Sequence, residues 1–94
     1  RLKRLYIKAV DQPGLLGRIG TLLGEEAIHI RKSEVSDPEK DDGGKDELIG
    51  LDFLVELPLD VDLRSLYSRL YNLEGVIDLS WENKPVSRQN IWDD

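Results

Sequence analysis

Val10-Asp11-Gln12-Pro13-Gly14-Leu15-Leu16 is the stretch of sequence that decides the fold. Pro13 suits the first turn of a helix, because its ring fixes φ at a helical value and its missing N–H would be unpaired there. Gly14 lets the backbone approach another group closely. The stretch is therefore predicted to end a strand, turn, and start a helix that runs from about Pro13 to Glu26. A helix N-terminus presents unpaired N–H groups, which favour a bound carboxylate or phosphate.

The apolar pattern on both sides of this stretch predicts a strand before the helix and a second strand after it. Residues 2–10 alternate, with Leu5, Ile7 and Ala9 on one face and polar side chains between them, as in a strand that buries one face. After the helix, Ile28 and Ile30 are predicted to face the core, with His29 on the opposite face. The helix itself has one apolar stripe, formed by Leu15, Leu16, Ile19, Leu22 and Leu23.

The second half of the chain repeats this succession of strand and helix. Residues 49–57 alternate between apolar and other side chains and predict a third strand, which Pro58 ends. Asp60 or Asp62 is predicted to cap a second helix, and residues 76–81 predict a fourth strand. The apolar stripe of the second helix consists of Leu63, Leu66, Leu70 and Leu73.

The resulting order, βαββαβ, indicates an α+β, ferredoxin-like fold with a four-stranded antiparallel sheet and two helices on one face. Each helix has a single apolar stripe and each strand has one strongly apolar face, so both helices are expected to cover the same face of the sheet. One domain is expected to span residues 1–83, followed by a polar C-terminal tail over residues 84–94.

Composition and charge argue against several classes of function. The chain of 94 residues has a net charge of −6, from 13 basic and 19 acidic residues, which disfavours a nucleic acid as partner. It contains no cysteine and therefore predicts neither disulfides nor a thiolate metal site, as in a cytoplasmic protein. No apolar run approaches the roughly 20 residues that span a bilayer, so no direct membrane insertion is expected. The chain begins at Arg1 and contains no methionine, from which we expect a piece of a longer protein.

A charged loop at residues 36–47 is predicted to be solvated. It places acidic residues at alternating positions, as in a calcium-binding loop. However, Asp42 stands where such a loop needs glycine, and Leu48 stands where it needs a bidentate glutamate. His29 is the only histidine, and the chain has no Ser–His–Asp set or phosphate-binding loop. We therefore predict no metal, no cofactor and no catalytic residue.

Three motifs occur together in one order along the chain. Residues 10–16 contain an Asp-x-Pro-Gly turn followed by two hydrophobic residues, and residues 27–30 read Ala-Ile-His-Ile. Residues 73–76, before the last predicted strand, read Leu-Glu-Gly-Val. Over about residues 2–82 the chain thus resembles the ACT domain, a small ferredoxin-like regulatory module that usually senses amino acids. The family usually has Gly in place of Ala27 and Asn in place of His29.

This resemblance implies regulation rather than catalysis, with a small-molecule ligand held between the first turn of one copy and the second strand of another. ACT domains typically pair through sheet edges or helices, which implies a homodimer or higher homo-oligomer and contacts with other domains of a larger protein. By resemblance, Asp11 holds the ammonium group or side chain of an amino acid, while Gly14 and Leu15 direct N–H groups toward its carboxylate. The implied binding residues are Asp11, Gln12, Pro13, Gly14, Leu15 and His29.

Other interpretations stay open at this point. In one alternative the turn only starts a helix and His29 only faces solvent or an interface, in a dimerisation or interdomain-contact module without a ligand. A small enzyme of the same fold would need a polar cluster that the sequence lacks. The host that we favour is a (p)ppGpp synthetase/hydrolase of the GTP pyrophosphokinase family, which acts in the stringent response. The alternatives are homoserine or phosphoglycerate dehydrogenases and the cytoplasmic tail of a magnesium-transport-associated membrane protein.

Overall fold

The computed structural model describes residues 1–92 and shows an α+β fold in which all paired strands are antiparallel. The predicted ferredoxin-like order is confirmed, although two additional short strands raise the strand number from four to six. In chain order the elements are β1 (Leu2–Val10), α1 (Leu15–Glu25), β2 (His29–Val35), β3 (Glu39–Lys40), β4 (Glu47–Glu56), α2 (Leu63–Tyr71), β5 (Val76–Trp81), β6 (Lys84–Val86) and a 3₁₀ turn (Asn90–Trp92).

The sheet has β1 at its centre, because its strands run in the order β2-β4-β1-β5-β6, with β3 paired to β4. β1 and β4 pair from Leu2 with Glu56 to Val10 with Leu48. The turn after Val10 therefore lies at the end of the sheet where β4 starts. β2 starts at the opposite end, where His29 pairs with Glu56.

One apolar core lies between the sheet and the two helices. Phe53 on β4 is 1% exposed, and Leu66 and Leu70 on α2 are fully buried. Burial of a side chain of this size contributes about 1.5–3 kcal/mol relative to leaving it in water. The core residues of β1 are the predicted Leu5, Ile7 and Ala9, and those of α1 are Leu15, Ile19, Leu22 and Leu23.

Helix α1 starts two residues later than predicted, at Leu15. Pro13 lies in the turn that precedes the helix, and Gly14 is the N-cap residue with φ 82° and ψ −6°. These angles match the third position of a type II turn, which favours Pro at the second position. The Leu15 N–H closes this turn by donating to the Gln12 carbonyl at 3.3 Å. The Pro-Gly pair thus forms the β-turn that precedes the helix, and it does not belong to the helix itself.

Helix α2 has the predicted acidic cap, and Asp62 rather than Asp60 provides it. The Ser65 N–H donates to the Asp62 carboxylate at 3.2 Å. Such a cap typically contributes about 1 kcal/mol. In the described part of the chain, neither helix has the length and hydropathy that crossing a membrane would require.

The prediction for Ile30 is wrong, whereas the prediction for Ile28 is confirmed. Ile28 is 4% exposed, but Ile30 is 39% exposed. The reason is that β2 is an edge strand, and all seven of its residues are exposed. A register shift between Ile30 and Lys32 further interrupts its pairing with β4.

The C-terminal residues differ from the polar tail that was expected over residues 84–94. Residues 84–86 form strand β6, which pairs with β5. Ile91 is 4% exposed and belongs to the core. The tail prediction arose because this stretch is short and mostly polar, so that its few apolar residues show no period. Its last two residues, 93 and 94, lie outside the described residues.

Candidate functional site

The turn between β1 and α1 presents free backbone N–H groups at the surface. No side chain caps α1, and the N–H groups of Gly14, Leu16 and Gly17 have no hydrogen-bond partner within residues 1–92. The Leu15 N–H, in contrast, is used inside the turn. The helix macrodipole adds a partial positive charge at this position. The arrangement can therefore accept a carboxylate or phosphate oxygen.

Glycine is required at position 14 for two reasons. Its φ of 82° lies in the left-handed region, which costs other residues roughly 1–2 kcal/mol. A Cβ atom there would also lie 2.9 Å from the Nη1 atom of Arg18. Arg18 uses Nη1 to donate to the Pro13 carbonyl at 3.3 Å. The turn thus needs glycine for its backbone angles, and Arg18 adds a hydrogen bond that stabilises it.

Asp11 and Gln12 have different roles in the structure. The Asp11 side chain is exposed and makes no hydrogen bond or ion pair within residues 1–92, so its carboxylate is available to a cation. The Gln12 side chain instead donates from Nε2 to the Glu74 carbonyl at 3.1 Å. Of the two predicted binding residues, Asp11 can face a ligand, while Gln12 connects two segments of the chain.

Gly75 explains why the Leu-Glu-Gly-Val motif accompanies the Pro-Gly turn. Its φ is 94°, and a Cβ atom at this position would lie 2.2 Å from the Gln12 Nε2 atom. The Val10 N–H donates to the Gly75 carbonyl at 2.8 Å. Two motifs separated by some sixty residues thus form one connected structure, which the sequence patterns alone did not reveal.

A groove with a volume of about 540 Å³ leads from the turn along the surface between α1 and α2. Arg69 on α2 closes its far end by pairing with Glu25 and Glu26, each at 2.6 Å. These hydrogen bonds, first that to Glu25, raise the pKa of Arg69. The ion pairs also offset the unfavourable interaction between the two carboxylates and the negative C-terminal end of the α1 dipole. The groove is lined by Gly14, Gly17, Arg18, Thr21, Leu22, Glu25, Arg69 and Leu73.

His29 lies far from the turn within the same chain. Val10 pairs with Leu48 and His29 pairs with Glu56, and these partners are eight residues apart on β4. At about 3.3 Å per strand residue, the two positions are roughly 26 Å apart. The structure therefore brings Asp11, Pro13, Gly14 and Leu15 together but does not bring His29 to them.

The surroundings of His29 are charged and exposed. Arg31 donates from Nε to the Glu56 carboxylate at 2.8 Å. This hydrogen bond, together with the charge of Arg31, lowers the pKa of Glu56. Ala27, just before the strand, has φ 59°, a left-handed value that glycine adopts without strain. Within residues 1–92, no group of three His, Asp or Glu side chains could hold a metal ion.

No protein-family model matches the chain. The chain is 37% identical over 76 residues to D-3-phosphoglycerate dehydrogenase of Mycobacterium leprae, a match that covers 81% of this chain. The chain spans only 14% of the length of that relative.

Solved structures share its architecture at low sequence identity. The ACT domain from GTP pyrophosphokinase of Chlorobium tepidum superimposes with a TM-score of 0.63 and 18% identity, over 85% of this chain and 95% of that one. Formyltetrahydrofolate deformylase from Pseudomonas putida KT2440 superimposes with a TM-score of 0.67 and 13% identity, over 86% of this chain and 28% of that one. The element order, the sheet and this likeness show that the chain has the fold of that ACT domain.

Proposed function

We propose that the chain is a regulatory domain that binds a small amino-acid ligand at the N-terminus of α1 and pairs with a second copy through β2. The observation that carries the ligand site is the set of free N–H groups on Gly14, Leu16 and Gly17. A ligand carboxylate fits these donors, since charge-assisted hydrogen bonds at a helix N-terminus are favourable. The exposed carboxylate of Asp11, at the other end of the same turn, then suits the ligand ammonium group.

The two edges of the sheet support pairing through β2. β2 offers seven residues, all exposed, including Ile30 at 39% and Val35 at 52%. β6, at the opposite edge, has three residues, and its middle residue Pro85 lacks an N–H. Proline and short length are common protections against strand addition at a sheet edge. A second copy is therefore expected to add at β2.

Pairing also supplies a role for His29. Because His29 lies roughly 26 Å from the turn of its own chain, it can complete a ligand site only in a second copy. A two-fold symmetric dimer would place the β2 strands of the two copies side by side and form two equivalent sites. We propose that each site combines Asp11 and Gly14 of one copy with His29 of the other.

The host protein is proposed from the sequence comparison. The 37% identity to D-3-phosphoglycerate dehydrogenase exceeds the 18% identity to the ACT domain of GTP pyrophosphokinase. This difference favours a dehydrogenase host over the GTP pyrophosphokinase host that the resemblance alone led us to favour. The domain itself is proposed to be non-catalytic and to act on its host. Sequencing the coding region that flanks this chain tests the proposal, with an adjoining dehydrogenase domain as the expected result.

A thermal-denaturation screen of the twenty amino acids tests the ligand site. Binding to the folded state alone stabilises by RT ln(1 + [L]/Kd), about 2.7 kcal/mol at a hundredfold excess over Kd. For a domain of this size the Tm would rise by roughly 10–20 °C. Sizing of the same samples reports the oligomeric state. Dimers without any stabilising amino acid would contradict ligand binding and favour the alternative function, a dimerisation or interdomain-contact module.

A further inference from the structure

Arg88, in the C-terminal segment, connects two elements at the base of the candidate site. Its guanidinium lies 4.5 Å from the centre of the Tyr71 ring. Nη1 donates to the Tyr71 carbonyl at 3.0 Å, and Nη2 donates to the Val76 carbonyl at 3.2 Å. One side chain thereby holds the last residue of α2 against the first residue of β5. A planar guanidinium suits this role because it can donate to two acceptors in a fixed geometry.

Tyr71 attaches the same segment a second time. Its side chain is 4% exposed, and its hydroxyl group donates to the Val86 carbonyl and accepts the Leu79 N–H at 3.2 Å. The ring thus lies under Arg88 while its hydroxyl group holds β6 to the sheet. We call residues 84–88 the C-terminal latch.

The latch is connected to the candidate site through the turn at residues 73–76, here called the Gly75 turn, which the Val76 N–H closes by donating to the Leu73 carbonyl at 3.3 Å. Val76, held by Arg88, directly follows Gly75, whose carbonyl accepts the Val10 N–H at 2.8 Å. The preceding carbonyl, that of Glu74, accepts the Gln12 side chain at 3.1 Å. Val10 and Gln12 are the residues that lead into the Pro-Gly turn. Hydrogen bonds and the backbone between Glu74 and Val76 therefore connect Arg88 to the two residues that lead into the Pro-Gly turn.

We propose that Arg88 is a positioning residue for the ligand site, one that fixes the Gly75 turn and through it the turn at the start of α1. This inference rests on the proposed function in so far as that turn binds a ligand. The physical reason is that free N–H groups bind an anion best when they are already held in the bound geometry. Without the Arg88 hydrogen bonds, the Val10–Gly75 hydrogen bond could break by local opening, while the rest of the sheet stays folded.

Amide hydrogen exchange on ligand-free Arg88→Ala tests the latch independently of any ligand. We expect the Val10 N–H to exchange roughly tenfold faster than in the unmodified chain, a size consistent with losing hydrogen bonds from a charged donor. The exchange rate of the Ile7 N–H, in the middle of β1, should rise only by the factor that the measured loss of global stability predicts. Gln89→Ala, an exposed neighbour, is the matched control and should leave both rates unchanged. Equal acceleration at Val10 and Ile7 would show a purely structural role and overturn the proposal.

Ligand affinity completes the test. For whichever amino acid stabilises the unmodified chain, Arg88→Ala should raise Kd roughly three- to tenfold, and Gln89→Ala should not. Unchanged affinity despite faster exchange at Val10 would overturn the positioning role. If no amino acid binds, the proposed function fails while the exchange result still decides whether the latch holds the turn. Should Arg88→Ala not fold, Arg88→Lys, which keeps the charge but cannot fork to both carbonyls, replaces it in both measurements and is expected to give intermediate effects.

Discussion

The two ends of the sheet differ in how firmly their residues are held. At the end where β4 starts, the Pro-Gly turn, the Gly75 turn and the C-terminal segment are joined by hydrogen bonds from Gln12, Val10 and Arg88. At the other end, His29 and Arg31 are exposed on an edge strand. One end is thus held by contacts between distant segments of its own chain, whereas the other carries an exposed edge strand. In the proposed function the first end is one half of a ligand site and the second is the surface that another copy covers.

The largest expected effect comes from disturbing the well-connected end. Gly75→Ala places a Cβ atom 2.2 Å from the Gln12 Nε2 atom, at a φ of 94°. We expect about 2–3 kcal/mol of lost stability, from left-handed strain and the lost Gln12 hydrogen bond. Urea denaturation measures it.

Gly17→Ala is the matched control for that prediction, because its Cβ atom would meet nothing within 4 Å. It should instead stabilise the protein by up to about 1 kcal/mol, as alanine does inside a helix. Equal effects of the two substitutions would contradict the account of the Gly75 turn.

The next largest effect concerns the ligand at the same end. Asp11→Ala removes the carboxylate proposed to hold the ammonium group, and loss of a hydrogen bond between charged groups typically costs about 1.5–3 kcal/mol. Affinity for an amino acid found in the screen should therefore fall roughly 10- to 100-fold, as measured by calorimetry. Asp60→Ala, at an exposed aspartate outside the turn, should bind normally. Full affinity in Asp11→Ala would place the ammonium elsewhere.

The exposed end is tested by charging its edge strand. Replacing Ile30 and Val35 together by lysine puts like charges on β2 of both copies, a common protection of sheet edges. We expect the dimer dissociation constant to rise at least about tenfold in sedimentation equilibrium, with the fold retained because both side chains are exposed. Lysine at exposed Ile77, on a strand that is not at an edge, is the control. Dimers that tolerate lysine at positions 30 and 35 would mean that pairing uses another surface.

The smallest effect is the pH dependence at the exposed end. Arg31 lowers the pKa of Glu56 in the folded protein, so the stability from this pair is present above the usual pKa of glutamate. It is lost as the pH falls through the lowered folded-state pKa. Because both groups are solvated, the contribution is small. Glu56→Gln should flatten the stability profile between about pH 5 and pH 3, and an unchanged profile would show that the pair contributes nothing.

The sequence predicted those parts of the fold that leave a periodic or local signal. Periodic apolar residues such as Leu5 and Phe53 predicted the order of the elements, because a buried face repeats regularly in the sequence. Asp62 was predictable as a cap because capping is local. The exposure of Ile30 was not predictable. Its sequence pattern fits a strand, but its exposure depends on where that strand lies in the sheet.

Long-range polar contacts were also beyond the sequence. Gln12 was predicted from the turn motif as a binding residue, but its partner Glu74 is distant in the chain and the contact has no periodic signal. Arg88 belongs to a stretch that reads as a polar tail, and only its carbonyl partners reveal its role. Gly75 itself was the one accessible sign, since a glycine after a helix commonly marks a turn with positive φ, as is found here.

A mixing experiment tests most directly the claim that each ligand site is shared between two copies. Asp11→Ala and His29→Ala chains, each weakened in binding alone, are unfolded, mixed in equal amounts and refolded together. Random pairing makes about half of the dimers mixed, and each mixed dimer carries one intact site, so about a quarter of the normal ligand sites should return in calorimetry. Binding by the mixture no better than by either variant alone would contradict a site formed by two chains.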